Sequence, residues 1–219
     1  MLNLLWDLDG TLVDSMPVIA KALNETLLSY GKVERPLESL RPFIGPELGE
    51  SLSNLLVLNN AADIENAKQV YRSFFAREML NSPAFSGIDD VLSSFQASGV
   101  RQFVATAKYR HFAVQIVEAL GLSSRFVAIY GSEADGRLGD KRDLLAHILA
   151  EEALSTGNTI MIGDTRFDIE AGRANKLTTV GVLWGYGGKD ALEEAGAHFL
   201  AEYPGQMPEI IRQASSCCC

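Results

Sequence analysis

Cysteine is missing from the first 216 residues, and the three present, Cys217, Cys218 and Cys219, stand side by side at the end. That excludes an internal disulfide framework. The triplet reads as a tail rather than part of a fold, and Ser216 stands where a prenylation motif would need Cys. Positive charge is short as well: 19 Lys and Arg against 28 Asp and Glu leave a net charge of −9, with the basic residues scattered. This argues against a nucleic-acid partner. Long apolar runs are absent. The opening Met1-Leu2-Asn3-Leu4-Leu5-Trp6 lacks a basic start and is ended by Asp7, so neither a signal peptide nor a membrane span is expected. A cytoplasmic protein without a membrane partner is the expectation. His111, His147 and His198 are far apart and share no ligand spacing. No GxSxG elbow and no Walker sequence occurs, which removes the anchors for a serine hydrolase or a nucleoside triphosphatase.

What the chain does have is a succession of short apolar runs, each followed by an amphipathic stretch. Residues 2–8, 103–105, 127–130, 159–162 and 178–183 read as strands, unbroken rather than alternating, as strands buried on both faces are. Residues 88–96, 112–120, 142–152 and 168–174 read as helices, the first two stopped by Gly99 and Gly121. Alternation of this kind predicts an α/β fold, a doubly wound parallel sheet. Residues 16–82 break the pattern: helices are expected over 17–30, 48–58 and 63–80, with no strand. The expected division is an α/β core, residues 1–15 and 83–219, and an inserted α-helical domain, residues 16–82. Hinges are expected near Ser15–Met16 and Asn81–Pro83.

Ligands of such sheets bind beyond the carboxyl ends of the strands, and carboxylates gather there. Asp7-Leu8-Asp9-Gly10-Thr11-Leu12-Val13-Asp14-Ser15 follows the first strand. In a continuing strand Asp7 and Asp9 would share a side. Two close carboxylates repel, and either a divalent cation, for which oxygen ligands suit Mg²⁺, or a shared proton relieves them. Gly10 would let the chain leave the strand and bring backbone N–H groups toward an anion. Ile162-Gly163-Asp164-Thr165-Arg166-Phe167-Asp168 ends another strand, with Asp168 read as a helix N-cap or as support for Asp164. Thr106 and Ala107 close a third strand as a phosphate cradle, or Thr106 is an ordinary cap. Lys141, ahead of a helix, is either a solvated lysine or the cation that an acidic site needs to hold a phosphate.

These four segments, in this order, resemble the haloacid dehalogenase superfamily of phosphohydrolases over about residues 3–205, and within it the phosphoglycolate phosphatase and 5′-nucleotidase branch. The resemblance implies a Rossmann-like core with a helical cap at 16–82, and a Mg²⁺-dependent phosphatase acting on small phosphate monoesters. It implies Asp7 as nucleophile, forming an aspartyl-phosphate, and Asp9 as acid and then base. Mg²⁺ would be held by the Asp7 carboxylate, the Asp9 backbone carbonyl and Asp164, with Asp168 in support. Gly10, Thr106, Ala107 and Lys141 would hold the phosphate. Two departures stand out: Trp6 where Phe is common, and Ala107 where Ser or Asn is usual. In the cap, Arg41-Pro42-Phe43-Ile44-Gly45-Pro46-Glu47 is either a substrate-reading segment, through Arg41 and Gly45, or a plain connection. A small phosphate ester is the expected partner, with the protein a monomer or homodimer. A phosphomutase of the same fold, a dehalogenase and a non-catalytic binding protein are the alternatives. Asp9 argues against the dehalogenase, since halide leaves without a proton.

Overall fold

The computed structural model describes residues 1–216, so the Cys217–Cys219 tail lies outside the described residues. Strand β1 (Asn3–Trp6) is followed by four helices: α1 (Met16–Ser29), the single turn α2 (Leu37–Leu40), α3 (Leu48–Leu56) and α4 (Ala61–Phe75). Helix and strand then alternate through α5 (Ile88–Ala97), β2 (Arg101–Tyr109), α6 (Arg110–Ala119), β3 (Ala128–Ser132), α7 (Lys141–Glu151), β4 (Thr159–Gly163), α8 (Arg166–Ala174) and β5 (Thr178–Val182). Helix α9 (Lys189–Glu194), β6 (Phe199–Ala201) and α10 (Met207–Ser216) complete it. The six strands are all parallel, in the order β3-β2-β1-β4-β5-β6. Among the described residues no helix is long and apolar enough to cross a membrane.

The order places β1 at the centre, with β2 and β4 on either side. Their carboxyl ends carry Asp7, Thr106 and Asp164, so three distant stretches of chain meet at one edge. Burial on both faces explains the unbroken apolar strands. Leu4 and Trp6 face one layer, with Val104, Ile162 and helices α5 and α6, while Leu5 faces the other, with Phe103, Met161 and helices α7 and α8. The first layer continues into the helices of residues 16–82 through Ile19, Leu23 and Phe75, all buried. The two segments that join those helices to the sheet run side by side: the Asp14 N–H donates to the Pro83 carbonyl at 2.9 Å, and the Phe85 N–H to Leu12 at 3.0 Å.

Several boundaries differ from the sequence reading. Helix α4 begins at Ala61, because the Asn60 side chain accepts the Asp63 N–H at 2.8 Å, and it ends at Phe75 rather than near Leu80. Helix α8 begins at Arg166 rather than Asp168. Beyond residue 183, where the sequence reading named no element, stand α9, β6 and α10; β6 is a three-residue edge strand, too short to show a period.

Candidate active site

Three carboxylates converge at the carboxyl edge. One oxygen each from Asp7, Asp164 and Asp168 lies within 4.8 Å of the others, and all three residues are buried. One cation answers them: the Lys141 ammonium sits 2.7 Å from Asp7 Oδ1 and also pairs with Asp168 Oδ1. The backbone explains how a lysine comes to be buried here. Asp140 caps α7 by accepting the Arg142 N–H at 2.7 Å, which makes Lys141 the first helical residue, its side chain turned to the sheet edge. Asp168 is not the N-cap that its position suggested. Thr165 is, and Asp168 is the reciprocal member of a capping box, its Oδ2 accepting the Thr165 N–H at 3.0 Å and hydroxyl at 2.8 Å. That leaves Oδ1 for Lys141.

Three negative charges against one positive charge out of water leave the cluster under-neutralised. Burial pushes the Asp7 carboxyl up to about 7; Lys141 pulls it down, and Asp168 and Asp9 push it further up. Asp164 is also well above the usual carboxylate range, through burial and then through Asp168 and Asp7. Burial works against the charge on Lys141, but Asp168 and Asp7 together outweigh it and hold the ammonium above its ordinary value. An oxygen-rich, buried, electron-rich cluster of this kind fits a hard divalent cation.

A stability prediction follows. Asp7 ordinarily titrates at 3.8 and in the fold at about 7. Between those values the folded chain holds a proton that the unfolded chain releases. The contribution is therefore full below about 4 and is lost as pH rises through about 7. Without metal, the melting temperature should fall across that window. Added Mg²⁺ should raise it more at pH 8 than at pH 5, because protons no longer compete for the carboxylates. Differential scanning calorimetry with and without Mg²⁺ checks this; an equal rise at both values would show that the cluster does not take the ion.

Asp164 is framed by close backbone. Gly10 has φ +82°, and a Cβ there would lie 2.3 Å from Asp164 Oδ2. Thr11 Oγ1 donates to Asp164 Oδ1 at 3.3 Å, and the Tyr186 N–H donates to Oδ2 at 2.7 Å. The Gly10 N–H itself donates to the Val13 carbonyl at 2.9 Å, and the missing side chain leaves room for Asp164. A Cβ at Gly185 would likewise strike Asp164 Cβ at 2.3 Å, so the glycine-rich run after β5 is the wall behind this carboxylate. Its partner residue Tyr186 also accepts the Met16 N–H at 2.9 Å and reaches Asp14 at 3.1 Å, pinning the start of α1.

On the other side of β1, β2 is irregular. Ala105 lies opposite Tyr130 and Tyr109 opposite Ser132, so four steps on β2 meet two on β3. Thr106, Ala107 and Lys108 bulge out of the ladder there, and all three line the cavity with Asp7, Asp9 and Lys141. Asp9 stands apart from the three-carboxylate cluster: its Oδ2 lies 2.9 Å from Lys108 Nζ, and Oδ1 is buried without a hydrogen-bond partner. An Asp9 contact to an ion is therefore left to its backbone. The cavity is closed by residues 43–48 and by α4, which contributes Lys68, Tyr71, Arg72 and Phe75. Gly45 lies against Thr165 and Phe167 at the cavity wall. Arg41 is not among the residues lining the cavity: it follows α2, is about half exposed and pairs with Glu38 at 3.0 Å.

Lys108, Lys68 and Arg72 are cavity residues that the sequence patterns did not single out, and Phe75 and Phe112 line the cavity with them. A signal existed for α4: residues 68, 71, 72 and 75 form one i, i+3, i+4, i+7 stripe that mixes basic and aromatic residues.

A parallel sheet whose central edges present this acidic cluster, a lysine and a bulged hydroxyl strand defines a phosphohydrolase. Comparison with known proteins agrees. The haloacid dehalogenase-like hydrolase family matches residues 4–182, and the chain belongs to it. A 5′-nucleotidase of Pseudomonas aeruginosa is 32% identical over 201 residues, 91% of each chain. The tyrosine-protein kinase PtkA of Mycobacterium tuberculosis is 32% identical over 87% of this chain, which spans 65% of that protein. The crystal structure of a predicted phosphatase from Clostridium acetobutylicum superposes with a TM-score of 0.92 at 31% identity, covering 96% of this chain and 98% of that one. The protein is an enzyme, a phosphatase of this family.

Proposed function

We propose that this phosphatase hydrolyses small phosphate monoesters in a Mg²⁺-dependent reaction through an aspartyl-phosphate on Asp7. The observation that carries the reading is the buried meeting of Asp7, Asp164 and Asp168 with Lys141 as their one cation. Asp7 and Asp164, with the Asp9 backbone carbonyl, would hold the ion, and Asp168 would hold Lys141 against Asp7. Bound there, Mg²⁺ would offset the repulsion between an anionic nucleophile and an anionic ester.

The chain's own groups account for the rest. Thr106 and Ala107 on the bulge, with Lys141, orient the phosphoryl group for in-line approach by the free Asp7 oxygen. The Asp7–phosphorus bond forms as the ester oxygen leaves, and Asp9 gives that oxygen its proton. Water then attacks the aspartyl-phosphate, with Asp9 taking the proton back. Lys108 pairs with Asp9 at 2.9 Å here, so the first step requires Lys108 to turn its charge to the incoming phosphate. Residues 16–82 act as a cap hinged at the paired segments 12–14 and 83–85, excluding water from the aspartyl-phosphate.

The test is phosphate release from a panel of phosphate monoesters, with Mg²⁺ and with EDTA. Release should vanish on chelation; turnover that survives it, or an isomerised ester instead of free phosphate, would defeat the proposal. Asp9→Asn should lower kcat/KM, which reports the step that expels the leaving group, by about 10²–10⁴-fold on alkyl phosphates, and far less on aryl phosphates, whose leaving groups need no proton. Equal losses on both would remove Asp9 from the acid role.

A further inference from the structure

Arg72 is the lining cation without a close carboxylate partner. Lys141 is answered by Asp7 and Asp168, and Lys108 by Asp9. Lys68 is answered by Glu65 at 3.1 Å and Glu47 at 3.8 Å. Arg72 has only a distant approach to Glu65, Nη1 to Oε1 at 3.9 Å, and its Nε is buried with no hydrogen-bond partner. A guanidinium carries five N–H donors in a planar fork and cannot shed its charge. Holding one mostly out of water with an orphaned donor is costly unless a ligand supplies the acceptor.

The guanidinium is also held in place. It lies over the Tyr109 ring, 4.8 Å from the centroid. One turn along α4, Phe75 stacks on Tyr71 and packs against Phe112 of α6 at 5.7 Å, which docks this face of α4 on α6. Tyr109 is two residues beyond Ala107, at the end of the bulge, so the two are at most about 7 Å apart along the chain. An anion on Arg72 therefore stands a short leaving group away from a phosphate on Thr106 and Ala107.

We propose that Arg72 is the specificity-determining residue of this site, reading a second oxyanion, a carboxylate or a phosphate, carried on a short leaving alcohol. This rests on the phosphatase reading above and deepens it. The planar fork suits two oxygens of one acid group, and the charge-assisted pair is the strong form of such contacts. A neutral alcohol leaves the fork unanswered.

Steady-state kinetics with Mg²⁺ on 2-phosphoglycolate and on ethyl phosphate test the proposal. The wild type should prefer the carboxylated ester by at least about tenfold in kcat/KM. Arg72→Met should lower kcat/KM on that ester by about 10²-fold, chiefly through KM, and cost ethyl phosphate at least ten times less. Arg72→Lys, which keeps the charge without the fork, should recover part of the loss. Glycerol bearing two phosphate monoesters, in place of the carboxylated ester, tells phosphate from carboxylate as the second anion. A wild type that treats the carboxylated, doubly phosphorylated and neutral esters alike overturns the proposal without any variant, and so does an equal loss on all of them in Arg72→Met. Hydrolysis of none of them by the wild type overturns the phosphatase reading itself, and is told apart because the neutral ester fails too.

Discussion

Asp7→Asn is expected to fold normally and to lose phosphate release by at least about 10⁴-fold, the scale on which removal of a catalytic nucleophile acts. An amide oxygen at this position cannot form the bond to phosphorus, and no second carboxylate stands in its place: Asp164 is engaged by Thr11 and Tyr186, Asp168 by Thr165 and Lys141. The stability change should be small or favourable. The substitution removes one of three crowded carboxylates, one whose own ionisation burial already opposes, and Lys141 keeps Asp168. The Mg²⁺-induced rise in melting temperature should shrink, since a ligand is lost. Phosphate release and a thermal melt on the same preparation separate these effects. Near-normal turnover would show that Asp7 is not the nucleophile.

Lys141→Ala should be the most destabilising single change at the site. It leaves Asp7, Asp164 and Asp168 together without a counter-charge, and removing one partner of a buried pair costs about 3–5 kcal/mol. In a chain of this size that corresponds to a fall of about 10 °C in melting temperature. The fall should be greatest above pH 7 without metal, where the carboxylates must carry their charges. It should be smaller at pH 5, where the cluster retains protons, and Mg²⁺ should restore part of it by supplying positive charge in the same place. Activity should stay low after that rescue, because the cation that orients the phosphoryl group is gone. A variant that melts like the wild type in metal-free buffer at pH 8 would show that the cluster is not held together by this lysine.

Much of the fold was legible in local pattern. The strands at 159–162 and 178–183 and the four core helices α5, α6, α7 and α8 are read within a residue or two, because continuous apolar runs and Gly stops are properties of neighbouring residues, whereas α9 and α10 were not read. The errors have local causes too. Helix α8 starts two residues before Asp168, since the Thr165 capping box decides where it begins, and the three-residue β6 offers no period to detect. Of the site, Asp7 and Asp164 were visible because each directly follows a buried strand, and Thr106 because it closes the buried apolar part of β2. Lys108 and Arg72 were not, because a lysine in a strand-end bulge and an arginine on a helix look solvated until the opposing surface is known. Arg41, a loop arginine offered as a substrate reader, pairs with Glu38 outside the cavity lining.

By itself the sequence determined the class of fold, the strand-end acids and the phosphohydrolase resemblance, since hydrophobic period and short motifs are written in adjacent residues. Tertiary structure alone decided that β1 lies between β2 and β4, that Gly10 makes room for a carboxylate 154 positions away, and that Lys141 faces Asp7 while Lys108 faces Asp9. Pairings of this kind are set by which distant segments the packed core brings into register, and no local pattern encodes that choice.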